Sequence, residues 1–280
     1  MKLNIIETGF FKLDGGAMFG VVPKTLWNRH NPADENNRCT WAMRCLLVED
    51  EGKLILIDTG LGNKQDQKFF SHYDLHGDAS LFSSLAKCGY KPEDITDVIL
   101  THLHFDHVGG AVIYNPDRTK LLPAFPNATY WSNAAHWQWA VNPNPREKAS
   151  FFKENILPLQ ESGNLRFIEK GISPFSAIDF IHVDGHTEQM MLPVIHYNNR
   201  KIIYAADLIP SSFHIALPWV MGYDVRPLLT MQEKEQVLKM AVEQSHILLF
   251  EHDPFYEAAV LEQTEKGIVV RERGALSNFI

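Results

Sequence analysis

Apolar runs along this chain are cut by short polar breaks, and the breaks hold its most reactive side chains. Arg44-Cys45-Leu46-Leu47-Val48 and Lys53-Leu54-Ile55-Leu56-Ile57 flank Glu49-Asp50-Glu51-Gly52, which predicts a β-hairpin with a polar, glycine-containing turn. Asp78 precedes Leu81, Phe82 and Leu85, the face of a short helix that ends near Gly89. A strand follows over Asp97 to Leu100. The stretch from Ser132 to Pro158 reads as a helix broken by Pro143 and Pro145, with its second piece near Lys148 to Leu157. Phe180-Ile181-His182-Val183, Lys201 to Ala206 and Ile247-Leu248-Leu249-Phe250 read as strands. Between the last two, Thr230 and Glu233 have the spacing of a capping box, and Val237, Leu238, Ala241 and Val242 form a helical apolar stripe that belongs to the core. Strands interspersed with helices fit two mixed sheets with helices outside, as one option among several.

Four of these strand-like runs end in metal-capable residues. After Val98-Ile99-Leu100 come His102, His104, Asp106 and His107. After Phe180 to Val183 comes Asp184-Gly185-His186, after Ile202 to Ala206 comes Asp207, and after Ile247 to Phe250 comes Glu251-His252-Asp253. Strand ends are rigid anchors whose loops can converge. Imidazole and carboxylate are the donors that zinc and similar divalent ions take in catalytic sites. Buried without partners, these side chains would carry a desolvation cost that a bound cation removes.

Composition narrows the classes. With 280 residues and 45% hydrophobic content, the chain can bury a sizeable core, and we expect a single domain over 1–280. The net charge of −8 and the lack of a Lys/Arg run argue against nucleic acid and against an anionic membrane as partners. Cys39, Cys45 and Cys88 are odd in number and form no C-x-x-C pair, so reduced thiols are expected. No apolar run has the length of a membrane span and the N-terminus lacks a signal-peptide core, which makes a cytoplasmic protein the expectation.

The run His102-x-His104-x-Asp106-His107 is similar to the signature of the metallo-β-lactamase superfamily. That resemblance implies an α/β (α+β) fold, an αββα sandwich of two mixed sheets with helices on the outer faces. It also implies a dinuclear site. Residues matching His102, His104 and His186 would hold one divalent ion, and those matching Asp106, His107 and His252 the second. Asp207 would bridge them. Zinc is the expected metal, with iron, manganese and cobalt open because such donor sets accept all of them. Asp58, in Asp58-Thr59-Gly60, matches a frequent superfamily motif, and either orients the histidine loop or is a plain turn aspartate. Of the remaining histidines, His182 and His246 read as structural, and most of the others, His136 among them, as surface or packing residues.

One branch resembles more of the chain: the quorum-quenching acyl-homoserine lactonases and the methyl parathion hydrolases. Leu13 to Lys24, Asp207-Leu208-Ile209-Pro210, Leu217 to Asp224 and Leu249 to Pro254 carry that likeness. It implies that a bridging hydroxide opens a lactone or cleaves an ester, an N-acyl-homoserine lactone being the first candidate, with Asp106 and Asp207 taking part in catalysis. A phosphotriesterase or an iron-dependent dioxygenase of the same fold is the alternative. Lactonases commonly carry a tyrosine three residues after the bridging aspartate, where this chain has Pro210. His214 and Tyr223 are the candidates for that role. Met18, Phe19, Val21, Val22 and the loop Phe213 to Met221 are apolar enough to wall a small-molecule substrate with an apolar portion, or to form core or a homodimer contact.

Overall fold

The computed structural model describes residues 1–280. It contains two large mixed sheets and helices. The first sheet runs in the order Lys2–Asp14, Arg38–Asp50, Lys53–Ile57, Asp97–Ile99, Thr129–Ser132, Leu165–Phe167. The second runs Gly267–Gly274, Ala258–Thr264, Ile247–Leu249, Arg200–Tyr204, Met190–Tyr197, Ile178–Val183. The chain divides into two compact units. Met1–Gly9, Met43–Ser71 and His76–Pro174 form one, and Phe10–Ala42, His72–Leu75 and Phe175–Ile280 the other.

In the first unit, Lys53–Ile57, Asp97–Ile99, Thr129–Ser132 and Leu165–Phe167 pair in parallel. Val98, Ile99 and Leu100 are fully buried. This is why the strand reads as an unbroken apolar run instead of alternating. Its core gathers Leu47, Leu56, Val98, Phe125, Tyr130 and Ile156. The predicted hairpin is present and tighter than expected. Asp50 pairs with Lys53, and Glu51 and Gly52 both take positive φ, 48° and 77°, the two-residue turn whose twist suits the flanking strands.

Three helix boundaries move. The short helix is Leu81–Lys87, and its cap is Ser80, which shares a capping box with Ser83, so Asp78 has no capping role there. The broken helix is Ala134–Val141 and then Lys153–Glu161, which starts later than expected and carries Pro158 inside it.

In the second unit one strand pair is parallel, Arg200–Tyr204 with Ile247–Leu249, and the other neighbours are antiparallel. The long helix runs Pro227–Glu243, opening with proline at its first turn, where a missing N–H costs nothing. Thr230 is therefore inside the helix and its hydroxyl bonds back to the Arg226 carbonyl. Glu233 closes no capping box. It accepts instead from the backbone N–H groups of Asp184 and Gly185. The three cysteines are free. No helix is long and apolar enough to cross a membrane.

Candidate metal centre

In the first unit the strand Asp97–Ile99 delivers Thr101 and His102, and the helical turn Phe105–Val108 carries Asp106 and His107. Gly109 and Gly110 end that turn against the 58–62 loop. A Cβ on Gly109 would lie 2.0 Å from the Leu61 carbonyl oxygen, and one on Gly110 would lie 2.2 Å from that of Thr59. Two glycines are thus the condition for bringing Asp58 and Thr59 up to the histidine turn. Thr59 donates to the His107 carbonyl from both its backbone N–H and its hydroxyl, each at 2.8 Å.

Asp58, fully buried, is more than a turn residue. Its carboxylate accepts from Thr101 N at 2.8 Å, from Thr101 Oγ1 at 2.6 Å and from His107 Nδ1 at 3.1 Å. These bonds settle where the ring protons lie. His107 must carry its hydrogen on Nδ1, which leaves Nε2 bare. The Thr101 hydroxyl gives its own hydrogen to Asp58, so at 3.1 Å it accepts from His102 Nδ1, and His102 Nε2 is bare. His104 Nε2 faces the buried Glu147 carboxylate at 3.4 Å, and its Nδ1 lies 3.0 Å from His102 Nε2.

The second unit repeats the arrangement. Three strands of one sheet, Ile178–Val183, Arg200–Tyr204 and Ile247–Leu249, lead into His186, Asp207 and His252. Ala206, at φ 41°, turns the chain sharply just before Asp207. His252 Nδ1 lies 2.7 Å from the Ala42 carbonyl, which can only accept, and His186 Nδ1 lies 3.0 Å from Asp224 Oδ1. Both rings therefore turn a bare Nε2 inward, onto one carboxylate: His186 Nε2 is 3.1 Å from Asp207 Oδ2 and His252 Nε2 is 3.0 Å from Asp207 Oδ1.

In the second unit lone pairs thus face lone pairs, and a cation or an added proton relieves that repulsion. A proton does so at His186. Burial alone would push its imidazole down, but the Asp207 and Asp224 carboxylates reverse this and hold it up at about 10. A divalent ion takes the place of such a proton, and the far-side hydrogen bonds then fix each ring's tautomer and raise its donor strength. The donor set thus fits metal ions. Within the first unit His102 with His104, and Asp106 with His107, are close enough to share an ion, as are His186 and Asp207 within the second.

His214 does not take the role expected of it. The ring is 1% exposed and stacked on Phe19, with centroids 4.9 Å apart. Nε2 donates to the Met18 carbonyl at 2.9 Å, so Nδ1 accepts from Ser211 Oγ at 2.7 Å. Both nitrogens are committed, and burial pushes the imidazole down to about 3. It is a neutral packing residue with none left for a substrate. Tyr223 is 40% exposed. Met18 and Phe19 are buried, with Phe19 against Trp27, Trp41 and Trp219, whereas Val21 is 90% exposed.

Sequence reasoning passed over Asp224, Glu147 and His136, whose Nε2 accepts the Leu103 N–H at 2.9 Å between the first two histidines. Glu147 and His136 lie in no motif, and Asp224, which closes the Leu217 to Asp224 stretch, drew no role of its own.

Residues 44–252 match the family described as metallo-β-lactamase superfamily. An N-acyl homoserine lactonase of Bacillus cereus is 24% identical over 265 residues, covering 90% of this chain and 93% of that protein. Among solved structures, a probable metal-dependent hydrolase from Staphylococcus aureus is similar at 28% identity and TM-score 0.88, over 98% of this chain and 96% of that one. The dizinc quorum-quenching lactonase AidC, in complex with a homoserine product, shares the fold at 22% identity and TM-score 0.78, over 96% and 92% of the two chains.

Proposed function

This chain belongs to the metallo-β-lactamase superfamily and is a hydrolase of it, and we propose that it uses two divalent ions, zinc first, to open the ring of an N-acyl-homoserine lactone or a related lactone. The reading treats residues 1–280 as one functional domain. It assigns His102, His104 and His186 to one ion, Asp106, His107 and His252 to the other, and Asp207 to both. The observation that carries it is the set of four imidazoles, His102, His107, His186 and His252, whose far nitrogens are held by protein groups while their near nitrogens face other ligand candidates.

When bound, the ions would supply a water acidic enough to serve as hydroxide near neutral pH and a positive field for the substrate carbonyl. The protein's own part is positioning and proton transfer. Asp207 offers one oxygen toward each of two rings, a placement suited to a bridging carboxylate. It accepts the proton lost by the attacking water and returns it to the ring oxygen as the acyl–oxygen bond breaks, so lactone plus water gives the hydroxy acid. Asp106 offsets part of the positive charge. Tyr223, partly exposed, is the remaining candidate for holding the substrate carbonyl. The substrate is a small molecule with an apolar portion.

The test is hydrolysis by zinc-loaded protein of a panel of homoserine lactones with short to long acyl chains, followed by chromatography, beside an aryl phosphotriester. Ring opening that stops with a chelator and returns with zinc is the expected result. Intact lactones beside a cleaved phosphotriester would replace this substrate class with the other.

A further inference from the structure

The long helix Pro227–Glu243 carries a lysine in an unusual place. Lys234 is fully buried, and its ammonium donates to three backbone carbonyls, those of His214 at 3.0 Å, Ala216 at 2.9 Å and Trp219 at 2.8 Å. An ammonium has three donors and no acceptor. Three carbonyls of one loop therefore match it fully, whereas a neutral amine would leave one of them without a donor. The lysine does here what a small inorganic cation does in a loop of converging carbonyls: it gathers them.

That loop leads to Asp224. Trp219 N donates to the Ala216 carbonyl and Gly222 N to that of Ala17, so the chain between the clamp and Asp224 has little freedom. Asp224, itself 1% exposed, holds Met221 N with one oxygen and His186 Nδ1 with the other. The neighbouring helix residue reaches the segment just before the same histidine. Glu233 accepts from Asp184 N at 2.7 Å and from Gly185 N at 2.9 Å, and Gly185 packs so closely on Thr230 that a Cβ there would lie 2.4 Å from Thr230 N. Consecutive side chains of one helix thus secure the segment before His186 and the loop that backs it.

We propose that Lys234 is a positioning residue for His186, acting through the 214–219 loop and Asp224 to hold the ring with Nε2 presented to a metal ion. The proposal rests on the reading of His186 as a metal ligand. Lys234 touches neither substrate nor metal in it, and its effect is on how firmly the ion is held.

The test measures the zinc dissociation constants of the full-length protein by chelator competition, together with the melting temperature of each metal-free protein. The variants are Lys234→Met, Lys234→Gln, Asp224→Asn and the pair Lys234→Met/Asp224→Asn. Lys234→Gln retains two N–H donors and a polar tip, and serves where Lys234→Met does not fold. The expected result is about tenfold weaker binding of one of two zinc ions in Lys234→Met and a smaller loss in Lys234→Gln. The paired variant should bind no more weakly than Asp224→Asn alone, because residues acting in one chain of contacts are not additive. Melting temperatures that fall while both zinc constants stay at wild type, or losses that multiply in the pair, overturn the proposal and leave the metal site standing. Equal zinc stoichiometry in wild type and His186→Ala removes the metal-site reading, and the proposal with it.

Discussion

Replacing Asp58 by asparagine changes one atom and should reverse the tautomer of a metal ligand. The side chain stays the same size, and asparagine tolerates the left-handed backbone found here, φ 57°, as alanine does not. The Thr101 N–H bond at 2.8 Å survives, since the amide keeps one oxygen. The oxygen that serves both Thr101 Oγ1 and His107 Nδ1 becomes an NH₂ group, which donates. His107 Nδ1 must then accept, and its proton moves to Nε2, the atom meant for the ion. Metal entry has to displace that proton or turn the ring. Loss of such an orienting partner costs about 10–100-fold in metal affinity, or about 1.4–2.7 kcal/mol. Two charge-assisted hydrogen bonds are lost with it, each worth about 1.5–3 kcal/mol in a site this buried, partly recovered if Thr101 Oγ1 turns to accept. Metal content after dialysis against graded free zinc, with chelator competition, reads the effect directly. We expect Asp58→Asn to retain one ion firmly and release the other at zinc levels where wild type holds both. Wild-type constants for both ions in a folded Asp58→Asn protein would refute the tautomer argument.

Other outcomes follow from single contacts. Gly110→Ala places a methyl 2.2 Å from the Thr59 carbonyl oxygen, and the backbone shift it forces should cost about 1–3 kcal/mol in urea unfolding of the metal-free protein; an unchanged midpoint would show that the loop yields freely. His214 is held neutral, its pKa depressed to about 3 against 6.5 when unfolded. The stability it contributes is therefore complete above pH 6.5 and declines as the pH falls toward 3, by up to about 1.4 kcal/mol per pH unit. His214→Gln, which can still donate to the Met18 carbonyl, should show a shallower loss over that window in metal-free protein, and parallel curves would contradict the assignment. Tyr223→Phe should lower kcat/KM for lactone about tenfold with zinc content unchanged, if the phenol holds the carbonyl; wild-type kinetics would remove it from the site.

The amino-acid order alone carried the ligand candidates, and the family resemblance of its histidine run carried the fold class. Continuous apolar runs marked the buried strands, and the metal-capable residues followed directly after them, because a sheet offers its strand ends as fixed points for loops. His102, His104, Asp106 and His107 were legible because six consecutive positions confine them. The sequence could not reveal how each ring is oriented. Asp58 lies 49 positions from His107 and Asp224 lies 38 from His186, and only folding brings such pairs together. Thr230 and Glu233 had the spacing of a helix cap, but Pro227 began the helix earlier and freed Glu233 to cap another segment. His214 had the composition of a catalytic residue and became a packed one when Met18 and Ser211 took both its nitrogens. Local spacing determines which side chains leave a strand together. The proton on each nitrogen depends on what lies across the gap, and that is decided by tertiary contacts with residues far away in the chain.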